Sequence, residues 1–179
     1  PVAHRVTLAG GAQFPYHKLV IAPGIDFDVM PGLEGLTPSV RDTQFPHAWK
    51  AGAQTTALWN QVRAMTSSDT FVMTIPLAPY RCPPGPYERA CVVADYLKRK
   101  GRTGAKVIVL DANASIQAEP LNFGNAFHGI YKDVLTYVPN STILSVDSET
   151  GSVVTTQGAF VGDVVNIIPE QRAGQLVTD

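Results

Sequence analysis

At 179 residues, 45% of them hydrophobic, the chain is long enough for one well-cored domain, or one domain with part of another. Its 14 basic and 15 acidic residues leave a net charge of −1, without the basic excess of a nucleic-acid binder. No apolar run reaches the roughly 18 residues of a membrane span, and the opening residues carry no compartment signal.

The chain opens as strands. Val6 and Leu8 alternate with polar residues, Gly10-Gly11 supplies a turn, and the apolar run from Tyr16 to Ala22 stops at Pro23-Gly24. Residues 25–46, with Pro31, Pro38 and Pro46, read as a connector. Apolar residues at three-to-four spacing predict a helix from His47 to Met65, with Trp49 and Trp59 packed into the core. Phe71, Val72, Met73 and Ile75 then predict a strand buried on both faces, as in a parallel sheet. A loop with Pro76, Pro79, Pro83, Pro84 and Pro86 leads into a helix from about Tyr87 to Lys100, whose inner stripe is Val92, Val93, Tyr96 and Leu97 and whose end Gly101 caps. A second buried strand, Ala105 to Leu110, closes at Asp111. This β-loop-α-β unit of about forty residues is the building block of a doubly wound domain. A further helix is expected over Phe123 to Leu135. Strands are expected at Ile143 to Val146, Val153 to Thr156 and Val164 to Ile168, with a hairpin turn over Asp147 to Ser152. The fold class is therefore α/β: a Rossmann-like parallel sheet with flanking helices, plus an antiparallel β-meander.

A dinucleotide-binding domain would place Gly-x-Gly-x-x-Gly between Ile75 and Tyr87. Prolines stand there instead, and each removes a backbone donor that a phosphate would use. Asp111 falls where a ribose-binding acid would lie, but without the glycine loop it reads as a helix cap or a solvated loop acid. The crevice at the strand ends carries Cys82, with Arg81 beside it and Arg89 seven residues on. A cationic neighbour and a helix N-terminus both favour thiolate, the form that attacks sulfur or flavin. Burial as a small hydrophobe is the competing reading. Glu88, in the first turn of the next helix, is either a dipole-matched acid or a proton relay to the thiol. Cys91 lies on the inner side of that helix, and no bridge to Cys82 is expected. The four histidines show no metal-ligand spacing, so no metal site is expected. Lys98-Arg99-Lys100 with Arg102 reads as a solvated cationic helix end. Asn113-Ala114-Ser115 and Asn140-Ser141-Thr142 match a glycosylation pattern short enough to arise by chance.

Three stretches carry a family resemblance: Pro46-His47-Ala48-Trp49-Lys50-Ala51-Gly52, Arg81-Cys82-Pro83-Pro84-Gly85-Pro86-Tyr87-Glu88-Arg89-Ala90, and Ile168-Pro169-Glu170-Gln171-Arg172-Ala173-Gly174. They resemble the flavoprotein subunit of flavocytochrome c sulfide dehydrogenase. Leu19 to Gly24 is similar to the end of the first FAD-binding stretch in two-dinucleotide-domain flavoproteins. The resemblance implies an internal piece of a periplasmic FAD enzyme that oxidises sulfide and passes electrons to a c-type cytochrome subunit. It implies that Cys82 is the flavin-side redox cysteine, disulfide-bonded to a partner beyond Asp179, with Glu88 an acid near that site. Pro23, Gly24, Lys50, Arg81 and Gln171 become candidate cofactor-binding residues, and the FAD glycine loop would precede Pro1. Residues 1–35 would then be the end of the first FAD-domain segment. Residues 36–176 would be the module carrying the cysteine loop, and 177–179 the return to the FAD domain. A sulfide:quinone oxidoreductase would share the flavin chemistry. An isolated piece would act as a non-catalytic module that holds FAD poorly.

Overall fold

The computed structural model describes residues 3–178. The chain forms two compact units, residues 27–171 and a smaller one of residues 1–26 with 172–179. In the smaller unit β1 (Arg5–Thr7) and β2 (Gln13–Pro15) make an antiparallel hairpin with Val6 opposite Phe14. The expected strand from Tyr16 to Ala22 does not form: among the described residues no strand pairs with it, and Leu19, Val20 and Ile21 are exposed. Strand β3 (Ile25–Phe27) leads into the larger unit.

The stretch read as a connector contains a helix, α1 (Pro38–Gln44). Thr37 caps it by accepting from the Val40 N–H, and Pro38 stands in its first turn, where a missing donor costs nothing. The next helix, α2 (Ala53–Ala64), starts six residues later than the spacing suggested. Gly52, at φ +126, and Ala48, at φ +48, break the backbone, so residues 47–50 are irregular. Trp49 is consequently not helical, and Trp59, although helical, is exposed, with its ring edge-on to Tyr96 at 5.1 Å.

Strand β4 (Thr70–Ile75), helix α3 (Gly85–Arg99) and strand β5 (Lys106–Asp111) form the expected unit. The helix begins two residues early. Its buried stripe is Tyr87, Ala90, Val93, Ala94 and Leu97, while Val92 faces solvent. Gly101, at φ +70, ends it: the Arg102 N–H reaches Leu97 O and the Gly101 N–H reaches Lys98 O, a Schellman cap. Helix α4 (Pro120–Asn125) continues as a π-helical turn, Ala126–Ile130, and stops there. The end of the helix expected to run on to Leu135 is instead a turn and the start of β6 (Leu135–Val138).

β7 (Ile143–Asp147), β8 (Ser152–Thr155) and β9 (Gly158–Val161) are the antiparallel meander, and β10 (Val164–Ile167) follows. The parallel sheet runs β10-β4-β5-β6. Side chains alternate across it. Phe71, Met73, Ile75, Val107 and Val109 meet Leu58, Val62, Tyr87, Leu97 and Phe127 on the helical face. Val72, Leu110, Val165 and Ile167 meet Leu33, Phe45, Val146 and Val153 on the other. Each fully buried large side chain contributes about 1.5–3 kcal/mol, which explains why β4 and β5 are apolar almost throughout. The chain leaves through β11 (Gln171–Ala173), paired with β3, and α5 (Gln175–Thr178); Arg172 meets Asp26 at 3.1 Å.

Candidate functional site

The carboxyl end of β4 opens into residues 76–84, with Cys82 at the crest. Cys82 is exposed and sits at φ +60, a left-handed conformation that costs a non-glycine residue about 1–3 kcal/mol and persists only where surroundings enforce it. The prolines leave this segment few donors of its own. Within it the Tyr80 hydroxyl lies 3.4 Å from Pro83 O, and its exit is tied to α3 by Gly85 N–H to Cys82 O and Glu88 N–H to Pro84 O, both at 3.0 Å.

The enforcing contacts come from elsewhere. On one side, Trp49 Nε1 donates to Arg81 O at 3.1 Å, and the indole lies against Gly85 beside the Cys82 sulfur. A methyl group at Gly85 would stand 2.8 Å from Trp49 Cη2 and 3.1 Å from Cys82 Sγ, so the glycine is what allows this approach. Trp49 is itself braced. The Arg89 guanidinium lies 4.8 Å from its ring centroid and donates to His47 O, Ala48 O and Asn166 Oδ1 at 2.6–2.9 Å. Burial pulls the Arg89 pKa down to about 10. Arg89, expected as a second cation for the thiol, thus ties down residues 47–49 instead. His47 Nδ1 accepts from the Trp49 N–H at 3.0 Å, and burial lowers the imidazole pKa against the opposing pull of Asp42.

Gln171 holds the same loop from β11. Its Oε1 accepts from the Arg81 N–H at 2.7 Å, while its Nε2 is buried with no protein acceptor among the described residues. An unmet buried donor costs about 1–3 kcal/mol, and a polar, planar ligand edge would satisfy it. The Arg81 side chain and Lys50 are exposed, and so is Glu88, in the first turn of α3. Cys91, half-buried one turn on, has its thiol pushed up to about 11 by burial and then by Glu88. Both cysteines are free thiols. Pro23 and Gly24 lie in the smaller unit, exposed, with Gly24 at φ +84.

Asp111 is neither a cap nor a solvated acid. It is fully buried and accepts from the hydroxyls of Tyr87 and Tyr137, both at 2.8 Å, and from Asn113. Burial, reinforced by that carboxylate, raises both phenols and keeps them protonated. Asn113 is buried as well, so the first glycosylation pattern is a chance match. The cationic end of α3 is partly engaged: Lys98 and Arg102 donate to carbonyls of Ile130, Val62 and Arg63. At the strand ends a cavity of about 310 Å³ is walled by Val29, Met30, Ile75, Leu77, Ile143 and Ile168, with Asp28 and Glu170 also lining it. Apolar walls and two acids suit no pyrophosphate, in keeping with the missing glycine loop. Among the described residues no cluster of His, Cys, Asp or Glu could hold a metal, and no helix is long and apolar enough to cross a membrane.

Residues 55–169, more than half of the chain, match the family model of the central region of the sulfide dehydrogenase [flavocytochrome c] flavoprotein chain. The chain belongs to this family. The proline-cysteine loop lies within the matched region, in a family of flavoprotein chains. Solved structures share the fold. A copper(II) complex of the HOCl-induced flavoprotein disulfide reductase RclA from Escherichia coli aligns with TM-score 0.54 at 14% identity, over 96% of this chain and 34% of that one. Fdr9 aligns with TM-score 0.52 at 21% identity, over 96% and 37%. Reduced Bacillus anthracis CoADR-RHD aligns with TM-score 0.54 at 9% identity, over 96% and 29%. The chain thus spans about a third of the length of the structures it matches.

Proposed function

We propose that the intact protein is a periplasmic sulfide dehydrogenase in which Cys82 is one half of the reacting disulfide. The observation that carries this reading is the exposed sulfur of Cys82, held at φ +60 on a loop braced from two sides. The loop opposes disorder at the point where a sulfur nucleophile must approach, and pre-placed reactants of this kind lower a barrier. Hydrosulfide attacks one sulfur of the disulfide between Cys82 and its partner cysteine. The S–S bond breaks, one sulfur becomes a persulfide, and the other leaves as thiolate with the bonding pair. FAD, when bound, would supply the acceptor for the two electrons released as that thiolate and the persulfide join through the added sulfur, with a c-type cytochrome as the onward acceptor. Gln171 would hold the cofactor through its unmet Nε2 donor, with Lys50 and Arg81 as further binding residues. Glu88, exposed in the first turn of α3, would carry protons between solvent and the sulfur centre.

The test is Cys82→Ser in the full-length protein, followed by sulfide-dependent cytochrome c reduction. Loss of at least a hundredfold in rate with flavin retained is expected. Activity within a few-fold of wild type sinks the proposal.

A further inference from the structure

The carboxylate of Asp111 has four acceptor sites, and all four are taken. Oδ1 receives the backbone N–H and the side-chain Nδ2 of Asn113 at 2.9 and 2.7 Å, and Oδ2 receives Tyr87 and Tyr137 at 2.8 Å each. Two of the three donor residues lead on to the Cys82 loop. The Asn113 amide donates to Pro76 O at 2.9 Å and accepts from the Ala78 N–H at 2.9 Å, so one side chain clasps the loop's entry. The Tyr87 hydroxyl accepts from the Gln117 N–H at 3.0 Å and lies 3.4 Å from the Tyr80 hydroxyl, which is itself 3.4 Å from Pro83 O at the loop's exit. The last two are long for hydroxyl contacts, so the entry clasp is the stronger tie. Tyr137 stands on β6 with its ring 5.6 Å from that of Phe127, and among the described residues no hydrogen bond joins it to the loop.

These groups are buried, where a satisfied polar network rigidifies and a broken one is costly. The loop they hold has almost no hydrogen bonds of its own. We propose that Asp111 is a positioning residue for Cys82, fixing through Asn113 and Tyr87 the loop that presents the sulfur. The inference rests on the reading of Cys82 as the reacting thiol, and it assigns a second, buried determinant to that same site.

The experiment uses this chain with Cys91→Ser, a nitroxide label on Cys82, and the rotational correlation time from electron paramagnetic resonance. Asn113→Ala and Asp111→Asn are compared with Tyr137→Phe, which removes a bond to the same carboxylate without touching the loop. Urea midpoints are recorded for all. The expected result is a correlation time at least twofold shorter in Asn113→Ala and Asp111→Asn, with Tyr137→Phe less stable but spectrally unchanged. If Asn113→Ala does not fold, Asp111→Asn carries the comparison. Spectra within experimental scatter of one another, or a Tyr137→Phe spectrum loosened as much as the others, overturns the proposal and leaves Asp111 a stability residue alone. Neither flavin nor sulfide enters the measurement. A positive result alongside an active Cys82→Ser enzyme would refute the function reading and leave the positioning intact.

Discussion

Replacing Gly85 by alanine adds one methyl group at the point where α3, Trp49 and the Cys82 sulfur converge. That methyl would sit 2.8 Å from Trp49 Cη2 and 3.1 Å from Cys82 Sγ, against about 3.5–4.0 Å for an ordinary carbon contact. The indole is no free end: its Nε1 is bonded to Arg81 O and its face is under Arg89. Relief must come from the loop or from the brace, and overpacking of this kind costs about 1–3 kcal/mol. Helix propensity returns less than about 1 kcal/mol, because Gly85 opens the helix rather than sitting inside it. The expected balance is a loss of roughly 1–2 kcal/mol. Gly124→Ala is the control. Gly124 is helical, and a methyl there meets nothing within 4 Å, so about 0.5–1 kcal/mol should be gained. Urea unfolding with unchanged slope should place the two midpoints on opposite sides of wild type. Shifts of the same sign would refute the packing argument.

Stability should also fall as pH drops below 7. Burial depresses the folded His47 pKa below its ordinary 6.5, so the unfolded chain takes up the proton first. The stability present above pH 6.5 is lost as pH falls from there toward the folded value. His47→Gln should flatten urea midpoints measured between about pH 7 and 5.5; an unchanged slope would contradict this. Iodoacetamide at pH 8 should label exposed Cys82 and spare Cys91, whose thiol is pushed up to about 11; equal labelling by peptide mass mapping would refute that difference. Gly32→Ala should cost at least about 2–3 kcal/mol, because Gly32 is at φ +91 and its methyl would run into the Val146 carbonyl; a thermal midpoint equal to wild type would show that the backbone there yields.

The parallel sheet was legible in the sequence because strands buried on both faces read as nearly continuous apolar runs, and 71–75 and 105–110, broken only by Thr74 and Lys106, are such runs. Helix α1 hid behind prolines, although Thr37-Pro38 is itself a helix-start signal. Strand β6 was missed because its four residues follow directly on the helix expected to end at Leu135, and short β9 offered four residues with one glycine. Gly52 falls inside the helix expected from His47, and its φ of +126 is why the helix waits for Ala53. Cys82 could be singled out because its loop is locally unusual. Its supports could not: Trp49 bonds 32 residues away, Gln171 90, and Tyr87 and Tyr137 reach Asp111 across 24 and 26. Chain positions that far apart leave no periodic trace.

The place of β10 beside β4 bears on how the molecule is made. β4 gains its second neighbour only when β10 arrives, and the Thr70 N–H that Asp163 caps waits for a residue 93 positions later. Until then Phe71, Val72 and Met73 form an apolar strand with an open edge, the kind of template that pairs with other chains. Closure over so long a separation is slow compared with local helix formation. A chain made only as far as β9 therefore has this strand paired on one side alone, and β10 rather than a local neighbour closes that edge.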